Sequence, residues 1–269
     1  MKLLTNTLIL LLFLLFTTVI TANDNGHEKK KKNEHKATDT EDCSHVHWGY
    51  KGEEAPEHWP DLCSSFSPCG GVIQSPIDIS KAVHDKHLVP IIFDYYPTKT
   101  NIINNGHTIQ FNVDKGSTIS VDHKDYKLLQ FHFHALSEHT IGGKHYPLEI
   151  HFVHKYSDDD YAVIALLLKE GRPNPLLTKY LDRFPKYSNT SFRSLGKFEL
   201  IKLLPHNKSY FHYNGSLTTP PCSEVVNWYV LRTALTASKA QIKKLSQMLH
   251  HNYRPVQPLN KRVITFSTE

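Results

Sequence analysis

Two short stretches of the sequence carry side chains that could hold a metal. The first is Gln130-Phe131-His132-Phe133-His134 and the second is Leu148-Glu149-Ile150-His151-Phe152-Val153. In an extended strand successive side chains point to opposite faces, so Gln130, His132 and His134 share one face while Phe131 and Phe133 line the other. The second stretch repeats the arrangement, with Glu149, His151 and Val153 opposed to Ile150 and Phe152. Paired as antiparallel neighbours, the two strands would bring three imidazoles together with no fourth protein ligand nearby. Three neutral nitrogen donors and an open position describe a catalytic zinc site, whereas structural zinc is usually closed by four ligands. In a chain with 19 histidines, a lone His-x-His would be an ordinary core or surface pair. The partners decide otherwise. Metal-bound imidazoles donate their second N–H to a fixed acceptor, and Gln130 and Glu149 each sit two residues from a candidate ligand, on its face.

The elements that must position these residues read mostly as strands. Thr108 to Val113, Thr118 to Val121, Leu128 to His134, Leu148 to His154 and Tyr161 to Lys169 are rich in β-branched and aromatic residues. Gly, Asn, Asp and Pro clusters separate them. Ile141-Gly142-Gly143-Lys144 marks the turn region between the two histidine strands. Ala162 to Leu168 is almost continuously apolar, the pattern of a strand buried on both faces. Helices are few. Ser238 with Gln241 forms a capping box ahead of Ile242, Leu245 and Leu249 at helical spacing, and Asn174 before Pro175 caps a shorter helix through Leu181. The fold class is mainly β, a large sheet with peripheral helices.

The N-terminus reads as a secretory signal over residues 1–22, with Lys2 ahead of an apolar run from Leu8 to Phe16 and a small-residue end at Ile20-Thr21-Ala22. That run is too short to span a membrane, so no transmembrane helix is expected once the signal is removed. Residues 23–42 contain no large apolar side chain and are expected to be a disordered tail. Lys29, Lys30, Lys31, Lys32 and Lys36 face Asp24, Glu28, Glu34, Asp39, Glu41 and Asp42, which leaves the tail nearly neutral and disfavours a polyanion-binding role. Residues 43–269 suit one domain with a substantial core. The net charge of +5 is modest, and no basic stripe with interleaved aromatics points to nucleic acid. The 4 cysteines suggest two disulfides in a secreted chain, of open connectivity, and none has CxxC spacing. Asn189, Asn207 and Asn214 begin glycosylation sequons, the first two expected to be the more accessible.

Further motifs follow in order: His47-Trp48-Gly49-Tyr50, Pro56-Glu57-His58-Trp59, Gln74-Ser75-Pro76-Ile77-Asp78-Ile79, Asn104-Asn105-Gly106-His107, Ser137-Glu138-His139-Thr140, Gly215-Ser216-Leu217-Thr218-Thr219-Pro220-Pro221 and Tyr253-Arg254-Pro255. With the two histidine stretches, they make the chain resemble the α-class carbonic anhydrases over nearly all of residues 45–268. The short link between the histidine strands is similar to that of bacterial and plant members. The resemblance implies a twisted, mostly antiparallel sheet of about ten strands. It also implies zinc at the bottom of a conical cleft and reversible hydration of carbon dioxide to bicarbonate.

Carried over by motif, the resemblance gives His132, His134 and His151 as zinc ligands, with Gln130 and Glu149 orienting them. Thr218 would donate to Glu138 and so keep only lone pairs for the zinc-bound nucleophile, fixing its orientation. Val153, Val163, Leu217 and Trp228 would form the apolar wall for carbon dioxide, with Thr219 beside them. His107 matches the proton shuttle, and Tyr50, Asn105 and Gln110 match positions that order water. Secreted members similarly join cysteines at the places of Cys69 and Cys222, which would leave Cys43 to pair with Cys63. Ala135-Leu136, after the second ligand, departs from the residues that animal, bacterial and plant members usually carry there. Related non-catalytic binding modules would lack a ligand or the Thr and Glu pair, and this chain keeps them all. An esterase activity would share the same nucleophile.

Overall fold

The computed structural model describes residues 43–268; the expected signal segment and charged tail lie outside them. Ten strands form the main path of a 13-stranded sheet. In chain order they are β1 (Ala82–His84), β2 (Thr100–Asn104), β3 (Ile109–Val113), β4 (Lys124–His134), β5 (Leu148–Ser157), β6 (Asp160–Glu170), β7 (Thr190–Arg193), β8 (Tyr210–Gly215), β9 (Val226–Leu231) and β10 (Ile264–Phe266). Across the sheet they run β7-β2-β3-β4-β5-β6-β9-β8-β10-β1. The neighbours are antiparallel except for the parallel pairs β6 with β9 and β10 with β1. The expected mainly-β, mostly antiparallel architecture is therefore present.

The histidine strands β4 and β5 lie side by side near the middle of the path. Between them the chain makes a small excursion in which Thr140–Ile141 and Lys144–His145 pair around Gly142-Gly143. Both glycines have positive φ, 57° and 75°, which a residue with a Cβ adopts only with strain. Gly143 N–H donates to Asp78 Oδ1 at 2.7 Å, pinning this turn to the strand Asp78–Ile79.

Alternation along β6 divides the core in two, as its continuous apolar run implies. Ile164, Leu166 and Leu168 enter a cluster with Phe111, Phe131, Phe133 and Phe152. Val163, Ala165 and Leu167 enter another with Tyr213, Trp228 and Val230. Phe131, Phe133 and Phe152 are 0 % exposed, and burying each such ring contributes about 1.5–3 kcal/mol. The phenylalanines between the histidines thus anchor the strands that present them. Helix Lys239–Leu249 starts in the expected capping box and buries Leu245 and Leu249, while Asn174 caps Pro175–Tyr180.

The structure joins Cys43 to Cys63 and Cys69 to Cys222. Asn189 and Asn214 are exposed, whereas Asn207 is half-buried. The expected accessibility order thus changes at Asn207, because its Oδ1 accepts from both the N–H and the hydroxyl of Ser209.

Candidate metal centre

Register makes the site. His151 on β5 lies directly opposite His132 on β4, and Glu149 lies opposite His134. The three ring centroids are 4.9, 5.3 and 4.5 Å apart. One nitrogen from each ring falls within 4.8 Å of the others, so the trio could hold a metal ion.

The second nitrogen of each ring is already engaged, which fixes the one left free. His132 Nδ1 donates to Gln130 Oε1 at 2.9 Å. His134 Nδ1 donates to the backbone carbonyl of Asn252 at 2.7 Å. His151 Nε2 donates to Glu149 Oε1 at 2.8 Å. His132 Nε2, His134 Nε2 and His151 Nδ1 are left as lone-pair donors. His134 Nε2 is buried with no hydrogen-bond partner, and an unsatisfied buried nitrogen is costly unless something binds it. A cation in the trio supplies that partner, so the residues fit a zinc ion.

Electrostatics favour neutral, ligating imidazoles. Burial pushes the His132 pKa well below the usual value, and His134 and His151 add to the effect. Burial also lowers His134, against the pull of Glu138. Burial alone would raise the Glu149 carboxyl, but His139 and His151 hold it well below its usual range. Glu149 also accepts four hydrogen bonds, from the N–H groups of Glu138 and His139 and from both rings. It therefore stays ionised and orients His151.

The family model described as eukaryotic-type carbonic anhydrase matches residues 54–268. The chain belongs to the α-carbonic anhydrases. A carbonic anhydrase of Pectobacterium atrosepticum is 44% identical over 221 residues, 81% of this chain and 90% of that protein. Alpha carbonic anhydrase 7 of Arabidopsis thaliana is 35% identical over 237 residues, 84% and 86% of the two chains. Among solved structures, the α-carbonic anhydrase of Thermovibrio ammonificans, in complex with the inhibitor sulfanilamide, is similar with a TM-score of 0.79 and 42% identity. That match covers 82% of this chain and 99% of the other.

In this carbonic anhydrase fold, a cavity of about 130 Å³ opens against His132 and His134 and is also lined by Tyr50, Asn105, His107, Gln110, Gln130 and Thr219, among others. Val153, Val163 and Trp228 fall in one register row across β5, β6 and β9. Leu217 packs on the same cluster, and the Trp228 ring lies 4.8 Å from that of His151. Trp228 Nε1 also donates to Ser216 O at 3.0 Å, which holds the Thr218 segment against the site. His107 is half-buried and stacks on Trp48 at 3.7 Å and 6°. Burial, and then the neighbouring His47, lower its pKa.

One expected contact is absent: Thr218 is buried, but Glu138 Oε2 accepts no hydrogen bond from it or from any described group. Glu138 Oε2 lies instead 3.6 Å from His134 Nε2 and 3.8 Å from His151 Nδ1. Its other oxygen accepts the N–H of Arg254 at 2.8 Å, so the backbone of a distant segment holds the carboxylate.

Three residues of the site carry no signal in the pattern of alternating strands. Asn252 accepts from His134, and its side chain also bonds Ala135 N, His107 O and Phe133 O. It ties the unusual Ala135 and the His107 segment to a candidate ligand. His139 and Tyr213 continue the Glu149 network inward, His139 Nε2 meeting Tyr213 Oη at 2.7 Å. His139 is marked in the sequence only as part of the Ser137-Glu138-His139-Thr140 motif, while Asn252 and Tyr213 offer only polarity within buried surroundings, and burial is not visible in sequence.

Proposed function

We propose that the chain binds one zinc ion through His132 Nε2, His134 Nε2 and His151 Nδ1 and catalyses reversible hydration of carbon dioxide to bicarbonate and a proton. The observation that carries this reading is the convergence of three buried ring nitrogens whose opposite nitrogens are fixed by Gln130, Asn252 and Glu149. Bound zinc lowers the pKa of a coordinated water to about 7, for which carbonic anhydrase is the type case, and so supplies a nucleophile at neutral pH.

The chain's own residues do the rest. Val153, Val163, Leu217 and Trp228 give carbon dioxide, which has no net dipole, an apolar wall beside the trio. Thr218 lies next to Leu217 in the same loop and is the group we assign to orient the nucleophile. Glu138, fixed by Arg254 N–H, is the carboxylate available to Thr218 once the metal is bound. His107, whose ring lines the cavity beside His132 and His134, is the group we assign to carry the released proton outward, imidazole being the side chain that exchanges protons most readily around neutral pH. Two disulfides are compatible with a secreted protein, and no helix among the described residues is long and apolar enough to cross a membrane.

The test is metal analysis of the purified protein coupled to a carbon dioxide hydration assay. One zinc per chain is expected, with activity lost on chelation and restored by zinc. A zinc-loaded protein that hydrates no carbon dioxide would overturn the reading.

A further inference from the structure

A cavity of about 290 Å³ lies apart from the one against His132 and His134 and shares no lining residue with it. Its size is at the low end for pockets that take small molecules, about 300–1,000 Å³. Leu176, Tyr180, Phe198, Leu203 and Leu235 supply the apolar wall, and Lys179, Lys202 and Glu199 supply the charges.

The cavity is built from the helix Pro175–Tyr180, the segment 198–203 and the strand Leu235–Ala237, and each is held from outside it. Gln241 Oε1 accepts from Asn174 N–H at 2.8 Å, and the Gln241 amide donates to Asn174 O at 3.0 Å, which ties the start of Pro175–Tyr180 to the helix Lys239–Leu249. Asn174 Oδ1 in turn accepts the N–H groups of Leu176 and Leu177. The backbone donors at this helix start are thus already spent. Tyr180 and Phe198 meet edge to face with ring centroids 5.8 Å apart, and Leu235 lies in register with Leu168 of β6. An apolar body can enter this preformed space without stranding those donors.

The charges decide which apolar body fits. Glu199 Oε2 lies 2.6 Å from Lys202 Nζ, so these two largely cancel. Asp182, the other acid of residues 172–202, pairs with Lys244. Lys179 is exposed and has no acidic partner among the described residues. Its ammonium lies 5.1 Å from the centroid of the Tyr180 ring, against the cavity wall. One uncompensated cation beside an apolar cavity is complementary to a ligand with one negative charge at the end of a hydrocarbon body.

We propose that this cavity binds a free medium-chain monocarboxylate, its hydrocarbon body against Leu176, Phe198, Leu203 and Leu235 and its carboxylate accepting hydrogen bonds from Lys179. The site is independent of the zinc chemistry.

The test is calorimetric titration of the zinc-loaded protein with octanoate, with hexanoate and octanol for comparison. Carboxylates also ligate zinc, so the variants lie at the cavity and away from the metal. In the wild type, octanol, which has the same body and no charge, should bind about 3- to 5-fold more weakly than octanoate. Hexanoate should bind about 10-fold more weakly, at about 4-fold per methylene. Lys179→Glu should weaken octanoate binding by about 5- to 10-fold, and Glu199→Gln, which releases Lys202, should tighten it about 2-fold. Leu235→Trp, which fills the cavity, should abolish it. Carbon dioxide hydration by Lys179→Glu should equal that of the wild type, showing that the metal centre is untouched. Equal octanoate affinity in the wild type, Lys179→Glu and Leu235→Trp would place the carboxylate elsewhere and overturn the proposal. Octanol binding as tightly as octanoate, or a wild type that binds no octanoate, overturns it as well. Lys179 is exposed, so the charge comparison stands even where Leu235→Trp fails to fold. Wild type that ignores octanoate but sediments with anionic vesicles, in a manner lost in Lys179→Glu, would assign these residues to a membrane surface instead.

Discussion

His154 lies on β5 three residues beyond His151 but on the opposite face, and is 0 % exposed. Its Nδ1 donates to Ala162 O at 3.2 Å and its Nε2 accepts from Tyr95 Oη at 2.8 Å. Both nitrogens are thus satisfied in the neutral ring. Burial pushes its pKa from 6.5 down to about 3. A base whose folded pKa is depressed contributes stability that is full above the unfolded pKa and is lost as pH falls through the window from 6.5 to about 3. At roughly 1.36 kcal/mol per unit, lowering the pH to about 5 removes about 2 kcal/mol, and reaching about pH 3 removes about 4 kcal/mol. Other groups titrate in the same range, so the informative quantity is a difference between proteins. Urea denaturation of the wild type and of His154→Gln, which keeps a donor and an acceptor but does not titrate, should be run at about pH 8 and about pH 5. The wild type should lose about 2 kcal/mol more than the variant between these conditions, with similar urea slopes. Equal losses would refute the reasoning, since they would mean that His154 charges as easily in the fold as in the unfolded chain.

Replacing His132, His134 or His151 by Ala should abolish zinc retention and hydration, read by metal analysis and stopped flow, whereas Gln130→Ala should weaken zinc affinity by about 10- to 100-fold. Thr218→Ala should keep a full complement of zinc yet lose much of kcat; a parallel fall of metal and activity would make Thr218 structural. Cys69→Ser with Cys222→Ser opens a link between residues 153 apart, for which loop-closure entropy gives about 5 kcal/mol as an upper value and typical losses run about 2–5 kcal/mol. Chemical denaturation of that variant should show the loss, and an unchanged midpoint would refute the tether.

The ligand trio and two of its partners were legible because strand alternation is local: His132, His134 and Gln130 share a face whatever the rest of the chain does. The central strands and the capped helices were legible for the same reason. Assigning Thr218, His107 and the apolar wall needed the family resemblance, since the spacing of these residues says nothing of their meeting. Asn252 and Arg254 were not legible as site residues. Their contacts join backbone groups to segments more than a hundred positions away, and a backbone carbonyl has no sequence signature. The missing bond between Thr218 and Glu138 belongs to the same class. A hydroxyl and a carboxylate of compatible chemistry were both present, but angle and distance are set by packing.

Arg254 also bears on the order in which the protein can be made. Its guanidinium donates to Gln74 Oε1, Ser75 O and Cys69 O, at separations of 180, 179 and 185 residues, while its N–H holds Glu138 and its neighbour Asn252 holds His134. A chain leaving the ribosome N-terminus first presents both histidine strands long before residues 252–254 exist. β10, which lies between β8 and β1, comes later still. Until then His134 lacks the acceptor that sets its ring and Glu138 lacks its anchor. Any metal met by the nascent strands would therefore find His134 without the backbone acceptor that sets its ring in the fold.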